Sequence, residues 1–255
     1  MSLVPLALRI ITTRMLAGQT WAGSNIYDSP VDPVSGPLEE AFEPGQPWIA
    51  IYVSDNEVEV VERQTQGTKQ SIDLVLYSYM PMASFTVDTI KISTRDEGGA
   101  AALDIIGRQV EAAMRFGPSP WVDLWKKFVV SIGMMKTRPV LVQLETGTAL
   151  QCRETIISLT AIPDPQFGMP VYGYWTDLFT AMAADPAAAP LVPLMTALIT
   201  DPANLPDWRE AMALLDSSYP AMRAAGLTPQ DPTQITDDAA ALGDIELVGP
   251  HDPQQ

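Results

Sequence analysis

Residues 48 to 77 read WIAIYVSDNEVEVVERQTQGTKQSIDLVLY, and the changing period of this stretch decides the fold. At its start Ile49, Ile51 and Val53 alternate with Trp48, Ala50 and Tyr52, the two-residue repeat of a strand with large side chains on both faces. At its end Ile72, Leu74 and Leu76 share one face over residues 70 to 77, which predicts a second strand. Between the two, residues 54 to 69 are rich in Glu, Gln and Thr, and Val58 and Val60 alternate with Glu57 and Glu59. Such a segment reads as a β-arm that projects from the sheet and has little core of its own.

N-terminal to this stretch, Val4, Leu8, Ile11 and Met15 fall on one helical stripe, widened by Ala7 and Ile10. Arg9, Thr13 and Arg14 form the polar side, and Gly18 is a natural stop. From Pro30 to Pro47 the chain holds five prolines and three glutamates without periodicity, which predicts a long surface loop.

On the C-terminal side, residues 85 to 93 alternate as a further strand, and residues 97 to 115 carry a helical pattern after Gly98-Gly99. Trp121, Leu124, Trp125, Phe128 and Ile132 predict another helix over residues 118 to 132, with its aromatics in the core or at a subunit contact. Residues 140 to 143 and 152 to 161 are the last strand-like runs. The expected class is therefore α/β (α+β): an antiparallel sheet of about four to six strands packed with helices.

Composition shifts after Phe167. Residues 169 to 255 carry 12 acidic and 2 basic side chains and 11 of the 23 prolines. The expected division is a core domain over residues 1–165, a mostly helical, acidic Ala/Pro-rich extension over 166–230, and a flexible tail over 231–255. Helices are expected at 174 to 184, 189 to 200 and 207 to 225.

The chain of 255 residues has a formal net charge of −16, so its field repels duplex DNA. No run of about 18 uncharged apolar residues predicts a membrane span or an export signal. The only cysteine, Cys152, lies in an alternating apolar run and reads as a core residue. The only histidine, His251, lies four residues from the end, which argues against a His general base or a His-rich metal site. Neither a dinucleotide nor a P-loop glycine motif is present, and Gly98-Gly99 lacks the Lys or Ser of a phosphate cradle. The pairs Glu39-Glu40, Asp96-Glu97 and Asp237-Asp238 have the chemistry for Mg²⁺ or for acid–base work. Their loop-like surroundings favour solvated surface instead. No cofactor and no catalytic residue is expected, although a site of carboxylates from distant positions stays open.

The order of the opening helix, Asn25-Ile26-Tyr27-Asp28-Ser29-Pro30-Val31-Asp32-Pro33, the acidic loop, Pro47-Trp48-Ile49-Ala50-Ile51-Tyr52, and a polar arm leading into Ser71-Ile72-Asp73-Leu74-Val75-Leu76-Tyr77 resembles phage tail terminator and tail completion proteins. The run from Cys152 to Ala161 looks like their closing strand, so the resemblance covers about residues 3 to 165. It implies a non-enzymatic structural protein of the virion neck, assembled in the host cytoplasm. Its expected form is a homo-oligomer, a six-fold ring that caps the head-proximal end of the tail tube. The partners implied are the major tail tube protein and a head-tail connector or stopper, with genome DNA only as passing cargo and no membrane. A place as connector or stopper is the alternative, and a carboxylate-dependent enzyme a more distant one. The acidic loop and arm are the expected ring or tube contacts, through Asp28, Asp32, Glu39, Glu40, Glu43, Asp55, Glu57, Glu59, Glu62 and Arg63.

Overall fold

The computed structural model describes residues 2–30, 46–60, 67–80, 85–87, 90–92, 96–143 and 149–201. The opening helix α1 spans Val4–Leu16 and buries Val4, Ala7, Leu8, Ile10, Ile11 and Met15, the stripe its spacing predicts. Thr13, of the polar side, and Thr12 are buried as well, and the hydroxyls of Thr12 and Thr13 donate to the carbonyls of Leu8 and Arg9.

The N-cap residue Leu3 offers no side-chain cap to α1, and Ser2 Oγ accepts from the backbone N–H of Val4 at 3.2 Å. Asp164 completes the cap: its Oδ1 accepts from the backbone N–H of Leu3 at 2.9 Å and of Val4 at 3.3 Å, and from the Ser2 hydroxyl at 3.0 Å. The other carboxylate oxygen accepts from the Nε2 of Gln70 at 2.9 Å, and Gln70 itself is 1% exposed. One carboxylate thus joins a helix start, a strand and the segment after the last strand. Asp164→Ala is expected to cost about 1–2 kcal/mol, because it uncaps the helix and leaves the Gln70 amide without its acceptor. Urea denaturation checks this; a midpoint equal to that of the parent chain would remove Asp164 from the account.

Five strands form one sheet in the order β1-β2-β3-β7-β6: β1 Ile26–Asp28, β2 Trp48–Val60, β3 Gly67–Tyr79, β6 Val129–Gln143 and β7 Ala149–Ala161. All neighbours are antiparallel except β1 and β2, where Ile26, Tyr27 and Asp28 run parallel to Ile49, Ala50 and Ile51. The α/β class holds, with a mixed sheet. The arm is continuous with its strands, since β2 and β3 stay paired from Trp48↔Tyr79 to Val60↔Gly67, with register shifts between Val53 and Asp55 and between Glu59 and Val60.

Several local expectations change. Residues 85 to 93 make no single strand: β4 Phe85–Val87 and β5 Ile90–Ile92 pair with each other as a separate two-stranded sheet. Helix α2 spans Asp96–Phe116, so Asp96-Glu97 and Gly98-Gly99 belong to its first turn and not to a preceding loop. Helix α3 is Pro120–Phe128, with Ser119 as N-cap accepting from the N–H of Trp121 and proline at the first helical position. It ends at Phe128 and not at Ile132, because Val129-Val130-Ser131-Ile132 favours extended backbone and pairs with β7. Strand β6 therefore runs for 15 residues instead of the few at 140 to 143. Gly117, between α2 and α3, has no room for a side chain, since a Cβ there would stand 2.6 Å from the Ala113 carbonyl oxygen.

Helices α4 Tyr174–Ala183 and α5 Leu191–Thr200 follow β7. The main core lies between one sheet face and the helices, and it includes Ile49, Ile51, Leu74, Leu76, Ile157 and Leu159 from the strands. Trp175, Leu178, Phe179, Met182, Met195 and Ile199 join the same core. The compact unit spans Met1–Pro202, so the change of composition after Phe167 does not coincide with a break in packing. The expected helix at 207 to 225 and the expected tail at 231–255 lie outside the described residues.

Candidate functional site

The acidic residues expected at a contact surface are not gathered in one place. Asp28 ends β1 and pairs with Arg9 of α1, Asp28 Oδ1 standing 3.0 Å from Nε. Desolvation there pushes its carboxyl up, against the pull of Arg9. Asp55 and Glu57 are exposed on the distal half of β2. Asp55 pairs with Asp73 of β3 in register, so two carboxylates sit side by side on the sheet face away from the helices. Glu59 follows on the same strand. Asp32, Glu39, Glu40, Glu43, Glu62 and Arg63 lie outside the described residues.

The face away from the helices carries its own cluster. Trp48 stacks on Tyr79 with ring centroids 3.7 Å apart, and Ala50 and Cys152 are buried with them, beside Tyr27, Tyr52, Tyr77 and Val140. Next to it the Tyr77 hydroxyl donates to Glu154 Oε1 at 2.7 Å, and Arg138 Nε donates to Glu154 Oε2. Glu154 is 4% exposed. The Arg138 hydrogen bond holds its carboxyl below the usual carboxylate range, while Glu154 pushes the Tyr77 phenol up to about 12. Glu154 therefore stays ionised and Tyr77 stays neutral at physiological pH. With its carboxyl lowered, Glu154 contributes stability that is present above its unfolded value and is lost as pH falls through the folded one.

Burial pushes the Cys152 thiol up to about 12, which removes the thiolate a nucleophile needs. Iodoacetamide at pH 8 is expected to label Cys152 at least about a hundredfold more slowly in the folded chain than in urea, since both burial and the missing thiolate oppose the reaction. Equal rates in the two states would contradict the packing described here. Within this cluster Tyr77 and Cys152 are held neutral and Glu154 ionised. Its mechanical effect is to fasten β6 to β7 through Arg138 and Glu154.

What it fastens is the open edge of the sheet. Residues 130 to 139 of β6 are all exposed, and they include Val130, Ile132 at 49%, Met134 at 55% and Met135. Leu141 farther along is 76% exposed. On β7, the strand beside it, Ile157 and Leu159 are buried. The register places Ile132 beside Leu159 and Met135 beside Ile157, so the apolar face of the sheet continues outward onto β6, past the helices that cover it. Register shifts after Val129 and Ile132, together with Lys136 and Pro139, are devices that limit indiscriminate pairing at such an edge. Reading residues 118 to 132 as one helix concealed this surface; the signal that could have revealed it is the β-branched run at 129 to 132.

A groove of about 730 Å³ lies between α3 and α4, bordered by Trp121, Lys127, Asp177 and Asp185. Lys127 Nζ stands 2.7 Å from Asp177 Oδ2 across it, and Asp185 also pairs with Arg14 of α1. Among the described residues no group of three or more His, Cys, Asp or Glu could hold a metal ion, and no helix is long and apolar enough to cross a membrane.

Comparison of the chain with protein-family models and with curated proteins gave no match.

Proposed function

We propose that this chain is a structural assembly protein of a tailed-phage particle, a ring subunit that caps the head-proximal end of the tail tube and joins the tail to the head connector. The observation that carries the reading is the edge strand β6: 15 residues long, apolar, exposed, and fastened from behind by the Arg138–Glu154 pair. Its exposed Val130, Ile132, Met134, Met135 and Leu141 form an apolar surface of the kind that marks a protein contact. The resemblance in element order over residues 3 to 165 supplies the identity of the assembly. The net charge of −16 suits a ring through which DNA passes without adhering.

Native mass spectrometry and negative-stain electron microscopy of the purified chain, alone and with tail tubes, test the proposal. A six-fold ring seated on one end of the tube is expected. Rings that bind an isolated connector but not tubes would move the chain to a connector or stopper position, and a monomer under every condition would sink the reading.

A further inference from the structure

We infer that the ring is held together by heterologous strand pairing, in which the β6 edge of one copy joins the acidic distal half of β2 on the next copy, continuing one sheet from subunit to subunit. The inference rests on the ring reading above and names the surfaces that would build it.

Three observations carry it. The first is charge: β6 carries Lys136 and Arg138 and no carboxylate, whereas the distal half of β2 carries Asp55, Glu57 and Glu59 and no base. Arg138 is paired with Glu154, so among the described residues the unpaired positive charge that β6 offers is Lys136, in a chain whose net charge is −16. The second is the face on which the charges lie. Following the register across the sheet, Lys136 pairs with Ile156, which pairs with Val75 and then Tyr52, so Lys136 and Arg138 lie on the side of Tyr52 and Tyr77. Asp55, paired with Asp73, and Glu57 lie on that same side. When a second sheet extends the first with its helices on the same side, these acids and bases meet across the new strand pair.

The third is direction and access. Three successive antiparallel pairings make β6 antiparallel to β2, so the join needs no reversal of the subunit. Strand β1 covers β2 only at Ile49, Ala50 and Ile51, and among the described residues no other strand pairs with that edge of β2 beyond Ile51. The competing arrangement, β6 against β6 about a two-fold axis, sets Lys136 and Arg138 of one copy against the same residues of the other when the axis passes near Thr137, which like-charge repulsion disfavours. A heterologous contact that closes on itself gives a ring, whereas the isologous one stops at a dimer.

The test uses exposed positions of the full chain. Lys136→Glu and Glu57→Lys are each expected to weaken self-association by about tenfold or more, with circular dichroism and melting temperature unchanged, and the double variant to regain most of the loss. For pairing geometry, Met134→Cys and Asp55→Cys are prepared separately, the buried Cys152 being left in place. Mild oxidation of the mixture is expected to give disulfide-linked dimers that Met134→Cys alone does not form. Cross-linking of Met134→Cys with itself would overturn the inference in favour of a two-fold dimer. Rings that persist in both charge variants would overturn it while leaving the ring reading intact. A parent chain that stays monomeric in native mass spectrometry would overturn both.

Discussion

Truncation after Pro165 should leave a protein that aggregates or melts roughly 10 °C or more below the full chain, a shift that corresponds to about 3–5 kcal/mol for a unit of this size. The expectation follows from what α4 and α5 cover. Trp175, at 4% exposure, meets Phe128 edge-to-face at 5.1 Å, and Phe179 continues the aromatic row at 6.1 Å from Trp175. Met182 and Met195 are fully buried in the same core. Removing these helices returns their partners on α3 to water as one contiguous apolar surface, and each large side chain re-exposed costs about 1.5–3 kcal/mol. The Arg14–Asp185 and Lys127–Asp177 pairs disappear too, but both are partly solvated and add little. A second truncation after Asp201 retains α4 and α5, and the difference between the two shortened proteins isolates their contribution. If both melt together, α4 and α5 are decoration.

Phe128→Ala should destabilise the chain by about 3–5 kcal/mol, the range for removing a buried phenylalanine whose surroundings cannot collapse into the space. Collapse is opposed here on each side. Phe128 is fully buried, it is the last residue of α3, and its carbonyl accepts from the N–H of Ile162 at 2.9 Å just after β7 ends. Trp175 packs on its ring, and Val129 immediately begins the ladder with β7. The cavity therefore opens at the junction of helix layer, sheet edge and C-terminal helices. Phe128→Leu should lose less, because it refills part of the volume. Urea unfolding measures both, and a loss below about 1 kcal/mol for the alanine variant would show that the site relaxes freely.

The parts legible in advance are those in which a local repeat has only one consistent reading. The α1 stripe has a clean helical period, and its residues are all buried. The alternation at 48 to 53 and 70 to 77 specifies paired strands whose two faces both become core. Of the contact residues expected from charge, Asp55 and Glu57 emerge exposed on an arm, whereas Asp28 is engaged with Arg9. The β6 edge was not legible, because Phe128 and Ile132 satisfy a helical spacing and the β-branched run satisfies a strand, and nothing local chooses between them.

The sequence by itself determined which segments alternate and which face of each turns inward. The tertiary structure alone decided the parallel addition of β1 to β2, the capping of α1 by Asp164, and the burial of Glu154 between Tyr77 and Arg138. It also decided that, among the described residues, β6 is an edge strand of the sheet. Periodicity is a property of neighbouring residues and records only that a face must be buried. Which partner buries it, and which strand is left without one, depends on contacts between residues up to about 160 positions apart, and no short stretch of chain encodes these.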